Sequence, residues 1–150
     1  RCMEIYPDFR ELLALFHAHG VEYVIVGGYA IAFHGAPRAT GDIDLLVNPT
    51  PTNAERIVAA LRDFGFASLA FTANDFSIPG QVVQLGVPPV RIDILTDIEG
   101  VTWEQADRGK IAGVYGDVPV YFIGRRELLA NKRAVGRKRD LADLEALGES

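Results

Sequence analysis

Two aspartates, Asp42 and Asp44, stand one residue apart in the short apolar segment GDIDLLV. If this segment is a strand, alternate side chains point to the same face, about 7 Å apart along the chain. Two like charges at that spacing repel and raise each other's pKa. A divalent cation between them would remove the repulsion, because its charge dominates such a site. The alternative is a pair of solvated acids at a strand end.

A third carboxylate, Asp93, lies in a second apolar segment, VRIDILT. Three strand carboxylates in an otherwise apolar sheet fit a two-metal site, in which cations roughly 3.5–4 Å apart stabilise in-line phosphoryl displacement. Hard carboxylate oxygens and a substrate phosphate suit Mg²⁺, and we expect Mg²⁺ or Mn²⁺ as the cofactor. The alternative for Asp93 is an ion pair with Arg91 or with another arginine.

The dipeptide Gly27-Gly28 ends one apolar segment, VEYVIV, and opens a helix-like one. Glycines at such a turn let a phosphate approach the backbone, and a helix N-terminus offers free N–H groups and a positive dipole. A tight turn without a ligand is the alternative. The sequence contains neither G-x-G-x-x-G nor G-K-[ST], which disfavours a dinucleotide-binding fold and a P-loop.

Periodicity predicts the elements that hold these residues in the first half of the chain. Helical spacing marks PDFRELLALFHAHG and TPTNAERIVAALRDFG, the second with Thr52 or Asn53 near its N-cap. Strand patterns mark VEYVIV, GDIDLLV, GQVVQLG and VRIDILT, and the last two resemble a hairpin joined by VPP. The segment from Phe64 to Phe76 is ambiguous.

The second half continues this alternation of elements. TWEQADRG predicts a short helix, and KIAGVYGDVPVYFI predicts a hairpin that turns at Gly116-Asp117. Two helices, broken at Gly136, follow in GRRELLANKRAVG and RKRDLADLEALG. The whole order predicts an α+β fold: a mixed β-sheet with helices packed on it and a helical C-terminus.

The overall charge is acidic, at −5, which argues against nonspecific nucleic-acid binding by the whole surface. One segment differs, because only Glu127 opposes seven cations there: Arg125, Arg126, Lys132, Arg133, Arg137, Lys138 and Arg139. Arg125, Lys132 and Arg139 would share one side if the helix were continuous. We expect either a positive wall that holds an NTP or an RNA acceptor, or a solvated helix pair.

The segments VGG, TGDIDLLV and RIDIL, together with the tail NKRAVGRKRDLADLEAL, resemble the nucleotidyltransferase superfamily with the polymerase-beta-type fold. Within it, the chain is similar to small bacterial abortive-infection toxins of the AbiEii type. The likeness covers nearly the whole chain. It implies a single nucleotidyltransferase domain over residues 1–150, with a core at about 20–123 and C-terminal helices at about 124–148.

The resemblance also implies metal roles. Asp42 and Asp44 match the paired metal ligands of the family. Asp93 matches the third carboxylate, which shares a metal and activates the acceptor hydroxyl. We therefore expect all three to converge on one pocket with Gly27 and Gly28 at its rim.

Nucleotide contacts follow from the same resemblance. Gly27 and Gly28 match the family's turn at the triphosphate, although Ser is commoner at the position of Gly28, so that only backbone is available here. Lys132 matches a basic residue near the phosphates. We expect it to be solvated and to contribute little to folding. Arg38 and Thr40 precede the aspartate pair and could face the nucleotide, while a surface-loop role for Arg38 is the alternative.

Asp140 and Asp143 follow Lys132 on the last predicted helix. Acids in a first helical turn suit the helix dipole, and Asp140 can neutralise Lys132 or Arg139. A structural role is therefore expected for both. Cys2 is the only cysteine, so no internal disulfide can form.

Together these observations predict a metal-dependent nucleotidyltransferase that moves NMP from an NTP to an acceptor hydroxyl on RNA, protein or a small molecule. A toxin–antitoxin role with a partner protein or antitoxin follows from the resemblance. The start carries no signal-peptide pattern and no segment is long enough to span a membrane, so we expect a cytoplasmic protein without a membrane partner. The alternatives are an antibiotic-modifying nucleotidyltransferase and a catalytically silent nucleotide- or partner-binding module.

Overall fold

The computed structural model describes residues 5–36, 41–66, 70–87 and 90–149. Within these ranges six strands form one mixed sheet: β1 (Tyr23–Val26), β2 (Asp42–Val47), β3 (Val82–Val87), β4 (Val90–Leu95), β5 (Ile111–Tyr115) and β6 (Val118–Phe122). Their order across the sheet is β3-β4-β2-β1-β6-β5. The pairs β2–β4 and β1–β6 are parallel, and the other neighbours are antiparallel. The central strands are apolar and buried because helices cover them.

Seven α-helices of the described residues pack around this sheet: α1 (Pro7–His19), α2 (Gly27–Phe33), α3 (Pro51–Leu61), α4 (Asn74–Ser77), α5 (Trp103–Gly109), α6 (Arg125–Val135) and α7 (Lys138–Ala146). The predicted α+β class, mixed sheet and helical C-terminus are confirmed. The ambiguous segment holds a short π-helix, Arg62–Phe66, and α4, while residues 67–69 lie outside the described ranges. No α-helix in the described part of the chain is long and apolar enough to cross a bilayer.

The N-cap of α3 differs from the prediction. Thr50, rather than Thr52 or Asn53, caps the helix, and its hydroxyl accepts a hydrogen bond from the Asn53 N–H at 3.2 Å. Pro51 then occupies the first helical position, where its missing N–H has no cost. The Asn53 side chain is buried and accepts from the Glu22 N–H while donating to the Glu22 and Asn48 carbonyls. It therefore ties the start of α3 to the residue just before β1 and to the residue just after β2.

The last two helices are joined by a cluster of charges. As predicted, α6 ends at Gly136 and α7 is a separate helix, so Arg125 and Arg139 do not share one helix face. The Asp140 carboxylate is fully buried and accepts hydrogen bonds from the Arg137 Nε at 2.6 Å and the Lys132 Nζ at 3.2 Å. The predicted pairing of Asp140 with Lys132 is present.

Lowering the pH should weaken the packing of α6 against α7. The Arg137 hydrogen bond, and after it the contact with Lys132, lowers the pKa of Asp140 from 3.8 to about 2 against the opposing effect of burial. A carboxylate with a depressed folded pKa stabilises the fold above its unfolded pKa, and this stability is lost as the pH falls from about 4 to about 2. The loss is worth about 2 kcal/mol. Urea unfolding over this pH range should show a steeper fall for the wild type than for Asp140→Asn, and parallel curves would contradict the assignment.

Candidate active site

The parallel pairing of β2 with β4 sets the relative position of the three strand carboxylates. In this register Asp44 lies opposite Asp93, and Asp42 lies opposite Arg91. The antiparallel pairing of β1 with β2 places Val26 beside Asp44, so that the end of β1 reaches the same point. Because alternate residues share a face, the structure brings Asp42, Asp44 and Asp93 together on one side of the sheet.

Asp44 lies in an unfavourable electrostatic environment. Burial, followed by the charges of Asp93 and Asp42, raises its pKa from 3.8 to about 6, and Arg91 offsets only part of this. Asp93 is itself 8% exposed. A carboxyl group in this setting is stabilised in its charged form by any additional cation, which is the property expected of a cation-binding site.

Arg91 already supplies one positive charge to the group. Its Nε donates to Asp93 Oδ1 at 2.8 Å and its Nη2 donates to Asp93 Oδ2 at 3.1 Å. The same Nη2 lies 3.1 Å from Asp42 Oδ2. The ion pair predicted as the alternative for Asp93 is therefore present. The sequence indicated this pair because Arg91 and Asp93 are two residues apart on one strand, which places their side chains on the same face.

The rim of the site is formed by the turn between β1 and α2. Gly27, the first residue of α2, has φ +69°, a conformation that L side chains rarely adopt. A Cβ at Gly27 would overlap the Asp44 carboxylate, with Cγ only 3.0 Å away. Val26, at the N-cap, makes no side-chain capping hydrogen bond. The backbone of Gly27-Gly28 therefore starts directly beside Asp44.

A family model described as "Nucleotidyl transferase AbiEii toxin, Type IV TA system" matches residues 12–149. The chain belongs to this AbiEii family. The description of the family names nucleotidyl transfer. A search of curated proteins finds no match to the sequence.

Solved structures resemble this AbiEii-family protein in fold. A protein described as a nucleotidyltransferase, TM1012 from Thermotoga maritima, has 16% identity and a TM-score of 0.63 over 95% of this chain and 93% of its own. ANT(2")-Ia, solved in complex with adenylyl-2"-tobramycin, has 15% identity and a TM-score of 0.57 over 93% of this chain and 84% of its own. The lincosamide adenylyltransferase LnuA, solved with lincomycin, has 14% identity and a TM-score of 0.55 over 97% and 98%. These likenesses confirm the nucleotidyltransferase fold.

Lys132 lies in a different environment from the one that the sequence suggested. It is 8% exposed, and its Nζ lies 3.2 Å from Asp140 Oδ1 and 3.0 Å from Asp143 Oδ2. The expectation of a solvated lysine is therefore wrong, because the break at Gly136 folds α7 back so that its carboxylates enclose the ammonium group. Arg38 and Thr40, the other predicted nucleotide contacts, lie outside the described residues.

The carboxylates suit Mg²⁺ or Mn²⁺ by the chemistry of their oxygens. In the described ranges, however, no three His, Cys, Asp or Glu side chains are arranged as a ready metal cluster. Arg91 lies among these carboxylates and contacts both Asp42 and Asp93.

Replacing Gly27 by alanine should damage both the turn and the site. The new Cβ would displace the Asp44 carboxylate, and the positive φ would add strain of about 1 kcal/mol or more. Gly20→Ala is a matched control, because Gly20 has the same φ of +69° with no atom within 4 Å of an added Cβ. We expect Gly27→Ala to lose NTP binding, measured by calorimetry, and Gly20→Ala to lose only stability. Equal NTP affinity in the two variants would contradict the role of Gly27.

Proposed function

We propose that this AbiEii-family protein transfers NMP from an NTP to an acceptor hydroxyl and depends on Mg²⁺ or Mn²⁺. The observation that carries the proposal is the convergence of Asp42, Asp44 and Asp93 on one sheet face, beside the turn at Gly27. Asp93 is buried and the pKa of Asp44 is raised by burial, so an ionised carboxylate at either position is costly without a counter-charge. Membership of a nucleotidyl transferase family supplies the reaction class.

In the proposed reaction the acceptor oxygen bonds to the α-phosphorus and the bond to pyrophosphate breaks. Asp42, Asp44 and Asp93 would hold the cation, which supplies positive charge to the phosphate oxygens when bound. Asp93 would accept the proton of the acceptor hydroxyl. The rest of the rate comes from positioning of the two reactants on a rigid strand pair.

The triphosphate is proposed to lie at the backbone of Gly27 and Gly28. This turn begins beside Asp44, so a phosphate there would meet the backbone N–H groups of the turn. Arg38 and Thr40 remain predicted nucleotide contacts. Lys132 remains a predicted phosphate contact, although its enclosure by two carboxylates favours a structural role.

The proposals for the acceptor and the partner come from the family and from the similar structures, not from the geometry of the site. Membership of a type IV toxin family supports an antitoxin as the partner. RNA, protein and small-molecule acceptors all offer the hydroxyl that the reaction needs. The structures of ANT(2")-Ia and LnuA contain antibiotics, and an antibiotic is therefore included among the acceptors that a test must cover.

The decisive experiment incubates the protein with each α-labelled NTP, Mg²⁺ and a cell extract, followed by separate trials with tobramycin and lincomycin. We expect label to appear on a macromolecule, to require the cation, and to disappear in the double variant Asp42→Asn, Asp44→Asn. Label on an antibiotic alone would select the antibiotic-modifying alternative. Absence of transfer with every NTP and acceptor, while NTP still binds, would select the silent module.

Binding provides a second measurement that needs no acceptor. We expect calorimetry to show tighter NTP binding with Mg²⁺ than with EDTA, because the cation relieves repulsion between the phosphates and the three carboxylates. The Asp42, Asp44 double variant should lose this difference. An NTP affinity that EDTA leaves unchanged would contradict the metal-dependent site.

A further inference from the structure

A cleft of about 720 Å³ lies between α5 and α6, and this volume is within the range of small-molecule sites. Charged side chains from both helices line it: Arg108 of α5, and Arg125, Arg126 and Glu127 of α6. The cleft lies where β6 ends and β5 begins. Because β6 and β2 lie on opposite sides of β1 in the sheet, the cleft is distinct from the group of strand carboxylates.

Most of the charges in this cleft are not paired with one another. In the described part of the chain, Arg108, Arg126 and Glu127 form no ion pair and no side-chain hydrogen bond. Arg125, by contrast, contacts Glu149 at 3.3 Å. Two guanidinium groups and one carboxylate that line the same cleft without contact leave room for a ligand that binds to both kinds of charge.

Two glycines leave the space that the Glu127 carboxylate fills. A Cβ at Gly109 would overlap Glu127 Oε1, and a Cβ at Gly124 would lie 2.7 Å from the same oxygen. Neither glycine has a positive φ, so the backbone conformation does not require glycine at these positions. The half-buried carboxylate therefore packs against the backbone where α6 begins, on one wall of the cleft.

We propose that this cleft binds a small organic phosphate, with the phosphate group at Arg108 and Arg126 and a hydroxyl group at Glu127. Guanidinium groups bind phosphate oxygens through paired, charge-assisted hydrogen bonds. An ionised carboxylate only accepts hydrogen bonds, so Glu127 favours a ligand that carries a donor over a bare anion. A sugar phosphate has both groups. The site requires neither a cation nor nucleotidyl transfer, so it stands or falls separately from the proposed function.

The test is a titration of the full chain with ribose 5-phosphate in EDTA, followed by nuclear magnetic resonance of the backbone amides. We expect saturable shifts at Gly109 and Gly124, which border the cleft, and none at Gly27 and Gly28. Ribose 5-phosphate should bind more tightly than inorganic phosphate, because only the sugar phosphate can donate to Glu127. Absence of saturable shifts at Gly109 and Gly124 overturns the proposal.

The double variant Arg108→Gln, Arg126→Gln should bind ribose 5-phosphate roughly ten- to a hundred-fold more weakly, the expected effect of losing charge-assisted contacts. The matched control is Arg10→Gln, Arg62→Gln, which removes the same charge elsewhere: Arg10 pairs with Asp117, and Arg62 is exposed. The control should bind as the wild type does. An equal loss in both double variants overturns the site. If circular dichroism shows that the first variant does not fold, the two single variants decide in the same way.

Gly109→Ala tests the carboxylate without changing any charge. The added Cβ displaces the Glu127 side chain, so this variant should lose the preference for ribose 5-phosphate over inorganic phosphate. Inorganic phosphate itself should bind at least as tightly as to the wild type. Glu127→Gln should shift the preference in the same direction, and it decides if Gly109→Ala does not fold. An unchanged preference in Glu127→Gln overturns the hydroxyl contact.

Discussion

Asp44→Asn is expected to abolish nucleotidyl transfer while leaving the fold at least as stable as the wild type. Loss of one carboxylate removes charge that would hold the cation, and preorganised groups of this kind are worth roughly 100- to 1,000-fold in rate. The same change removes an ionised group that burial and two neighbouring carboxylates disfavour. Because the pKa of Asp44 is raised to about 6, its ionised form costs stability at neutral pH, by up to about 3 kcal/mol.

Opposite changes in rate and stability would separate a functional carboxylate from a structural one. Transfer of labelled NMP gives the rate, and thermal unfolding at pH 7.5 gives the stability. Asp117→Asn is the control, since Asp117 is an exposed acid paired with Arg10 and should change neither the rate nor the fold appreciably. If Asp44→Asn transfers NMP at the wild-type rate, Asp44 does not belong to the active site. If its melting temperature is lower than that of the wild type, Asp44 has a structural role.

Lys132→Met is expected to destabilise the fold by about 3 kcal/mol, at the lower end of the cost of removing one partner of a buried ion pair, because Asp140 keeps its contact with Arg137. The ammonium group lies between Asp140 and Asp143, of which Asp140 is fully buried. Without it, the two carboxylates of α7 lose the positive charge that they share. Urea unfolding, followed by circular dichroism, measures the effect.

The neighbouring Arg133 provides the comparison for Lys132. Its ion pair with Glu149 is half exposed, and Arg133→Met should cost no more than about 1 kcal/mol. Adding Asp140→Asn and Asp143→Asn to Lys132→Met should recover part of the lost stability, because two buried negative charges are then removed. Equal costs for Lys132→Met and Arg133→Met would mean that Lys132 is not held by this pair, and its assignment to the phosphates would gain support.

The sequence predicted most of the elements because each carries a local signal. The spacing of Phe9, Leu12, Leu13 and Phe16 marked α1, and all four are buried. The hairpin of β5 and β6 was marked by its turn residues. The aspartates were found because carboxylates are conspicuous among isoleucines and leucines. The cap of α3 was missed although Pro51, a residue favoured at the first helical position, pointed to Thr50.

The features that could not be predicted from the sequence depend on contacts between distant segments of the chain. The contact of Arg91 with Asp42 exists because β2 and β4 pair in one particular register, which local patterns do not encode. The burial of Lys132 depends on the direction that α7 takes after Gly136. Both features change the electrostatics of the predicted site residues.

The parallel pairing of β2 and β4 also determines when the site can exist during synthesis. Asp44 and Asp93 are 49 positions apart in the chain, and parallel neighbours require a crossover, which α3 and the segments after it provide. Closing a loop of that length must precede any contact between the two carboxylates. When β1, α2 and β2 have been synthesised, two of the three carboxylates are present, but the site does not yet exist. The carboxylate group comes into being only after β4 has emerged and docked, so a chain interrupted earlier is left without this chemistry.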